Sequence, residues 1–145
     1  GAVDREDGVL VASVAQEGGG YGQLAAFEGA DLAGKAGDRK AAAAAYDKIA
    51  STAGIDAEFR DLAVLLAVMN ALPDGDANAA IERLKPLTEK ANAWHASALE
   101  VTAAAKLKAG DKAGALAIFK QLADDLAAPE GVRARATEMA SALAS

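Results

Sequence analysis

Apolar residues recur along this chain at helical spacing, and a short glycine-centred phrase introduces them three times. Ala36-Gly37-Asp38 leads to Ala42, Tyr46 and Ile49. Asp74-Gly75-Asp76 leads to Ala80, Leu84 and Leu87, and Ala109-Gly110-Asp111 leads to Ala115, Phe119 and Leu122. Counted from each glycine, Ala stands at +5, a large apolar residue at +9 and an aliphatic residue at +12. With 3.6 residues per turn these three positions share one helix face. A second helical run precedes each glycine, over 21–35, 57–72 and 93–109. Ala30, Val68 and Ala103, all small or medium, stand seven residues before the glycine. The glycines are 38 and 35 residues apart, a period typical of repeat architectures. Each unit therefore reads as helix, tight glycine turn, helix. The glycine supplies the left-handed residue that ends the first helix. The aspartate after it is placed to cap the second, its carboxylate accepting a backbone N–H.

The flanks extend this pattern. Residues 9–16 read as an amphipathic helix, the second half of a preceding unit, followed by a Gly18-Gly19-Gly20 loop. Beyond Pro129, a last helix over about 130–144 presents Val132, Ala136, Met139 and Leu143 on one face and serves as a cap. Pro86 lies late in the second helix of the middle unit, where a missing N–H and a steric clash predict a kink or early stop. The expected fold is all-α: one domain over 1–145, a superhelical stack of antiparallel helix pairs. Its units cover about 21–53, 57–90 and 93–126, with a flanking N-terminal helix and a C-terminal capping helix.

Composition agrees. More than a quarter of the residues are alanine, the best helix former, and aromatics make up only 4%. Strand-forming residues are scarce, which argues against a sandwich, a barrel or a doubly wound sheet. Hydrophobic residues at 52% exclude a disordered chain. A net charge of −6 without a basic patch argues against nucleic-acid binding. With no cysteine there is neither a disulfide framework nor a thiolate metal site. The longest apolar run, 62–69, is far short of the roughly 20 residues that span a bilayer.

The period, the Gly-Asp turns and the small residues at Ala30, Ala42, Ala80, Ala103 and Ala115 resemble the tetratricopeptide repeat. Val68, and Ala33, Ala71 and Lys106 where that repeat carries an aromatic, mark the units as degenerate. Longer phrases resemble one bacterial family more closely. They include Phe59-Arg60-Asp61-Leu62-Ala63, Leu84-Lys85-Pro86-Leu87, Trp94-His95-Ala96-Ser97-Ala98-Leu99-Glu100 and Pro129-Glu130-Gly131-Val132-Arg133-Ala134-Arg135-Ala136. That family comprises membrane-anchored, tetratricopeptide-like proteins related to the ancillary SecYEG translocon subunit (YfgM-like). The resemblance covers roughly residues 5–143. It implies a periplasmic repeat domain on the inner membrane, carried by a single N-terminal anchor that lies outside this sequence. It also implies protein partners, such as translocon or periplasmic chaperone components. The Lys/Asn set with which some tetratricopeptide domains clamp a C-terminal carboxylate is missing. Phe27, Glu28 and Asp31 occupy the corresponding places in the first unit, and apolar residues occupy them in the second.

Motifs for chemistry are sparse. Gly20-Tyr21-Gly22-Gln23-Leu24-Ala25 fits a loose dinucleotide-binding pattern, but that pattern needs a preceding strand. His95 is the single histidine; Ser97 and Glu100 stand two and five residues on, and positions i and i+2 share no helix face. A structural histidine beside Trp94 at a helix start, bound to a neighbouring loop, is the favoured reading. Trp94 itself reads as core, with a binding anchor as the second option. Asp124-Asp125 and the acidic run at Asp4, Glu6 and Asp7 lack metal-ligand spacing and read as solvated surface, as do Arg133 and Arg135.

The first helices of stacked pairs line an inner wall. The repeat phase places Leu24, Phe27, Leu62, Leu65, Met69, Leu72 and Glu100 there, with Leu65 and Met69 at its centre. The expected function is thus a non-catalytic interaction module without metal or cofactor. It would dock an apolar helix or peptide on this wall; the other reading of the same Leu/Met stripe is that the N-terminal helix covers it. Two alternatives stand beside it: a small enzyme or ligand carrier using His95 and Glu100, and a self-associating structural domain.

Overall fold

A computed structural model describes residues 21–145, which form seven α-helices and one 3₁₀ turn, with no strand among the described residues. In order these are α1 (Tyr21–Lys35), α2 (Arg39–Ala50), α3 (Ala57–Ala71), α4 (Ala77–Leu84), the 3₁₀ turn (Lys85–Thr88), α5 (His95–Lys108), α6 (Lys112–Asp124) and α7 (Glu130–Ala144). The all-α class is the one expected, and neighbouring helices pack in pairs: α1 on α2, α2 on α3, α4 on α5, α5 on α6 and α6 on α7. The helix expected over 9–16, the triglycine loop and the acidic run near the start lie outside the described residues. The chain divides into two compact units, one ending at Pro73 and one running from Asp74 to Ser145.

Two of the three glycine elbows are the same structure. At the first, Gly37 N–H bonds to Gly34 O at 3.1 Å and Asp38 N–H to Ala33 O at 3.0 Å. At the third, Gly110 N–H bonds to Leu107 O at 3.1 Å and Asp111 N–H to Lys106 O at 2.8 Å. Both are Schellman motifs, with the glycine at φ +90° and +88° respectively. Each following aspartate then caps the next helix. Asp38 Oδ1 accepts from Ala41 N–H at 3.1 Å, and Asp111 Oδ1 accepts from Gly114 N–H at 2.8 Å. Asp76 caps α4 in the same way, accepting from Asn78 N–H at 2.9 Å.

The middle elbow departs from the expectation. Gly75 is not among the positive-φ glycines, and α3 ends at Ala71, well before it. Pro73 explains the difference. A Schellman turn at Gly75 would place Pro73 in the last helical turn, where it has no N–H to donate. The helix stops first, and only the Asp76 cap survives from the common phrase. Pro86 acts as expected: α4 ends at Leu84 and the chain tightens into the 3₁₀ turn around the proline.

The two units repeat one three-helix order at constant spacing. Lys35 and Lys108, Arg39 and Lys112, and Ala57 and Glu130 bound equivalent helices, each pair 73 residues apart. At this spacing Ala30 matches Ala103, Ala42 matches Ala115, Tyr46 matches Phe119, Ile49 matches Leu122 and Phe59 matches Val132, and all of these are buried. Burying one large apolar side chain contributes roughly 1.5–3 kcal/mol. Small residues at the crossings let the helix backbones approach while the large ones fill the space between.

Candidate functional site

The side chains expected on the inner wall are mostly interior. Leu24 belongs to α1, and its side chain lies outside the described ones. Phe27, Leu62 and Leu65 are fully buried, and Met69 and Leu72 are half-buried. Phe27 sits against Tyr46 with ring centroids 6.0 Å apart. On α3, residues 65–68 are buried in succession, and successive residues point about 100° apart around the axis. The middle of the helix is therefore largely covered, while its first turn, with Glu58 and Arg60, stays exposed. Leu65 has no face left for a partner.

His95 and Glu100 each hold a different element. His95 Nδ1 lies 2.7 Å from the Thr88 carbonyl oxygen. A carbonyl only accepts, so Nδ1 carries the hydrogen and pins the 3₁₀ turn to the start of α5, the structural role favoured from the sequence. Trp94, half-buried, starts the same helix, its N–H bonded to Asn92 Oδ1 at 2.9 Å. Glu100 meets Arg135 of α7 in a two-pronged pair: Nε donates to Oε2 at 2.6 Å and Nη2 to Oε1 at 2.8 Å. The side chains are 23% and 22% exposed. Arg135 is thus an interhelix tie, where the sequence suggested a surface charge.

The most site-like feature lies elsewhere, in a cleft of the first unit lined by Ala30, Asp31, Gly34, Lys35, Arg39, Tyr46 and Asn70. Three helices build it. Asn70 closes α3 on the side facing α1; it is only 7% exposed. Its Nδ2 donates to Leu66 O at 2.8 Å, which turns Oδ1 toward Gly34. A Cβ on Gly34 would stand 3.0 Å from that oxygen, so the glycine makes room for the amide. One turn earlier Asp31 pairs with Lys35 at 3.1 Å. Arg39 opens α2 and makes no ion pair among the described residues. The space is about 10 Å³, enough for about one water-sized group. Reading the sequence as a repeat overlooked Asn70 and Gly34. The available signal was an Asn directly after the apolar run 62–69, at helical spacing from Leu66.

Among the described residues no three His, Cys, Asp or Glu side chains gather to hold a metal ion. No helix among them is long and apolar enough to cross a membrane. Gly22 lies inside α1, and no strand occurs among the described residues. No family model, no curated protein and no solved structure matches this chain.

Proposed function

We propose that this chain is a non-catalytic interaction module that binds a peptide or protein, the periplasmic part of a membrane-anchored, tetratricopeptide-like scaffold associated with the translocon or the envelope. One observation supports it above others: the pair of identical Schellman-and-cap elbows, Gly37-Asp38 and Gly110-Asp111, that fold consecutive helices into hairpins with matched cores. Helix hairpins of this type build recognition surfaces from rigid elements. The burial of Phe27, Leu62 and Leu65 moves the contact surface away from the Leu65 stripe and toward polar and half-buried groups. The enzyme reading gains nothing from the geometry, since His95 bonds Thr88 and Glu100 bonds Arg135.

The test is photo-cross-linking of the natural full-length protein in intact cells, with the photoreactive residue placed at exposed positions of α1 and α2. Adducts with translocon subunits or periplasmic chaperones are expected in the membrane fraction. A cytosolic protein, or one forming no adducts with envelope proteins, overturns the proposal.

A further inference from the structure

One face of α5 is buried, and its counterpart on α1 is not. On α5, Ala98, Val101, Thr102 and Ala105 are at most 8% exposed. Spaced i, i+3, i+4 and i+7, they share one side of the helix, opposite Ala103, which belongs to the core around Phe119. Within the second unit α4 and the 3₁₀ turn pack on α5, and their Leu84 and Leu87 are buried. Two polar ties fix the direction. Lys108 Nζ donates to Gly75 O at 2.6 Å, just ahead of α4, and His95 Nδ1 donates to Thr88 O at 2.7 Å, at the end of the turn. The segment from 75 to 88 is thus strapped antiparallel along α5.

At the 73-residue spacing the same face of α1 holds Ala25, Glu28, Gly29 and Leu32, all exposed. Leu32 is 65% exposed, where Ala105 is 0%. A Cβ on Gly29 would meet nothing within 4 Å. Glu28, in place of Val101, stands on the edge that also carries Lys35, seven residues on, so its charge remains at the rim.

The chain itself supplies an occupant of the right kind. The same spacing carries α4 and the 3₁₀ turn onto residues 4–15, and buried Leu84 and Leu87 onto Val11 and Val14. Both valines belong to the amphipathic stretch 9–16. Asp4, Glu6 and Asp7 fall where α4 begins, at the end of the face where Lys35 takes the place of Lys108. Acidic residues there complement Lys35 and the N-terminus of their own helix.

We infer that residues 4–15 dock antiparallel on the Ala25–Leu32 face of α1, with Val11 and Val14 in the places of Leu84 and Leu87. They close the first unit as α4 and the 3₁₀ turn close the second, and they withhold this face from other partners. The inference is independent of the function proposed above.

The chain has no cysteine, so single introduced thiols report the cover. Leu32→Cys and Ala25→Cys, each in the 145-residue chain, are reacted with a thiol reagent, with Ala44→Cys on the exposed side of α2 as reference. Both are expected to react at least about tenfold more slowly than the reference, because reaction waits for local opening. Adding Val11→Asp with Val14→Asp is expected to restore the reference rate, and dilution to change nothing. Reaction at the reference rate without the aspartates overturns the inference. So does slow reaction that the aspartates leave unchanged, or slow reaction that disappears on dilution, the mark of a second copy on this face. A nitroxide on Arg5→Cys tests the direction with both valines in place. It is expected to broaden the backbone amide signals of Leu32 and Lys35 more than those of Ala25 and Ala26. A segment merely tethered at Tyr21 would do the reverse, and that order, or equal broadening, overturns the inference.

Discussion

Arg135 grips Glu100 through two hydrogen bonds at the register where the first unit places Leu62 and Phe27. One junction between first and third helices is thus closed by a partly buried ion pair and its counterpart by a fully buried apolar pair. Removing one partner leaves a charge with its attraction and solvation both reduced. Glu100→Ala and Arg135→Ala should each lower unfolding free energy by about 1–2 kcal/mol, discounted for the solvent that still reaches the pair. The double variant Glu100→Phe with Arg135→Leu copies the other unit and should return to wild-type stability or exceed it. Urea denaturation of the four proteins checks this; a double variant weaker than either single one would refute the equivalence of the two junctions.

The glycine elbows separate conformational cost from packing cost. A Cβ at Gly37 or Gly110 meets nothing within 4 Å, yet both residues hold φ near +90°. Replacing either by alanine should cost about 1–2 kcal/mol through the left-handed backbone alone. Gly75→Ala carries no such penalty and should stay within about 0.5 kcal/mol of wild type. Thermal melts of the three single variants provide the comparison.

Those elbows also show where the sequence was readable. Gly37, Gly110, the three capping aspartates and Pro86 act within a few residues of themselves, so local rules placed them. Gly75 was misread because Pro73, two residues earlier, removes the N–H that a helix reaching the glycine would need. The burial of the Leu65 stripe was illegible for a different reason. Periodicity reveals that Leu62 and Leu65 are apolar, but not whether they face a partner or the chain's own core, where both lie fully buried. The cleft and the ion pair were illegible because their parts are distant in sequence: Gly34 meets Asn70, and Glu100 meets Arg135, 35 residues away.

Gly114 is bound to the cap that precedes it. Asp111 places its carboxylate over the first turn of α6, steadied by Lys106 Nζ at 3.5 Å from Oδ2, and a Cβ on Gly114 would collide with it. At the equivalent site the first unit has Ala41, and Ala33 replaces Lys106, so Asp38 caps without that restraint. Gly114→Ala should therefore cost about 1 kcal/mol, the worth of a lost cap, despite the better helix propensity of alanine. Because both changes break the same bond, Asp111→Ala with Gly114→Ala should be clearly less destabilising than the sum of the single effects. Full additivity would show that the collision is relieved without disturbing the cap.

Arg60 and Arg133 are a second equivalent pair whose surroundings differ. Arg60 Nη2 donates to Ile55 O at 3.2 Å, tying the start of α3 to the connector before it. Arg133 occupies the same place on α7, but its Nε is buried without a hydrogen-bond partner. A buried donor left unpaired costs about 1–3 kcal/mol, whereas an apolar side chain of similar length keeps the packing of the arginine stem. Arg133→Met should therefore raise stability by about 1 kcal/mol, while Arg60→Met, which gives up a bond to the connector, should lower it. Opposite signs in paired urea titrations are the expected result. A loss at both sites would mean that the guanidinium of Arg133 contributes through solvent as much as Arg60 does through Ile55.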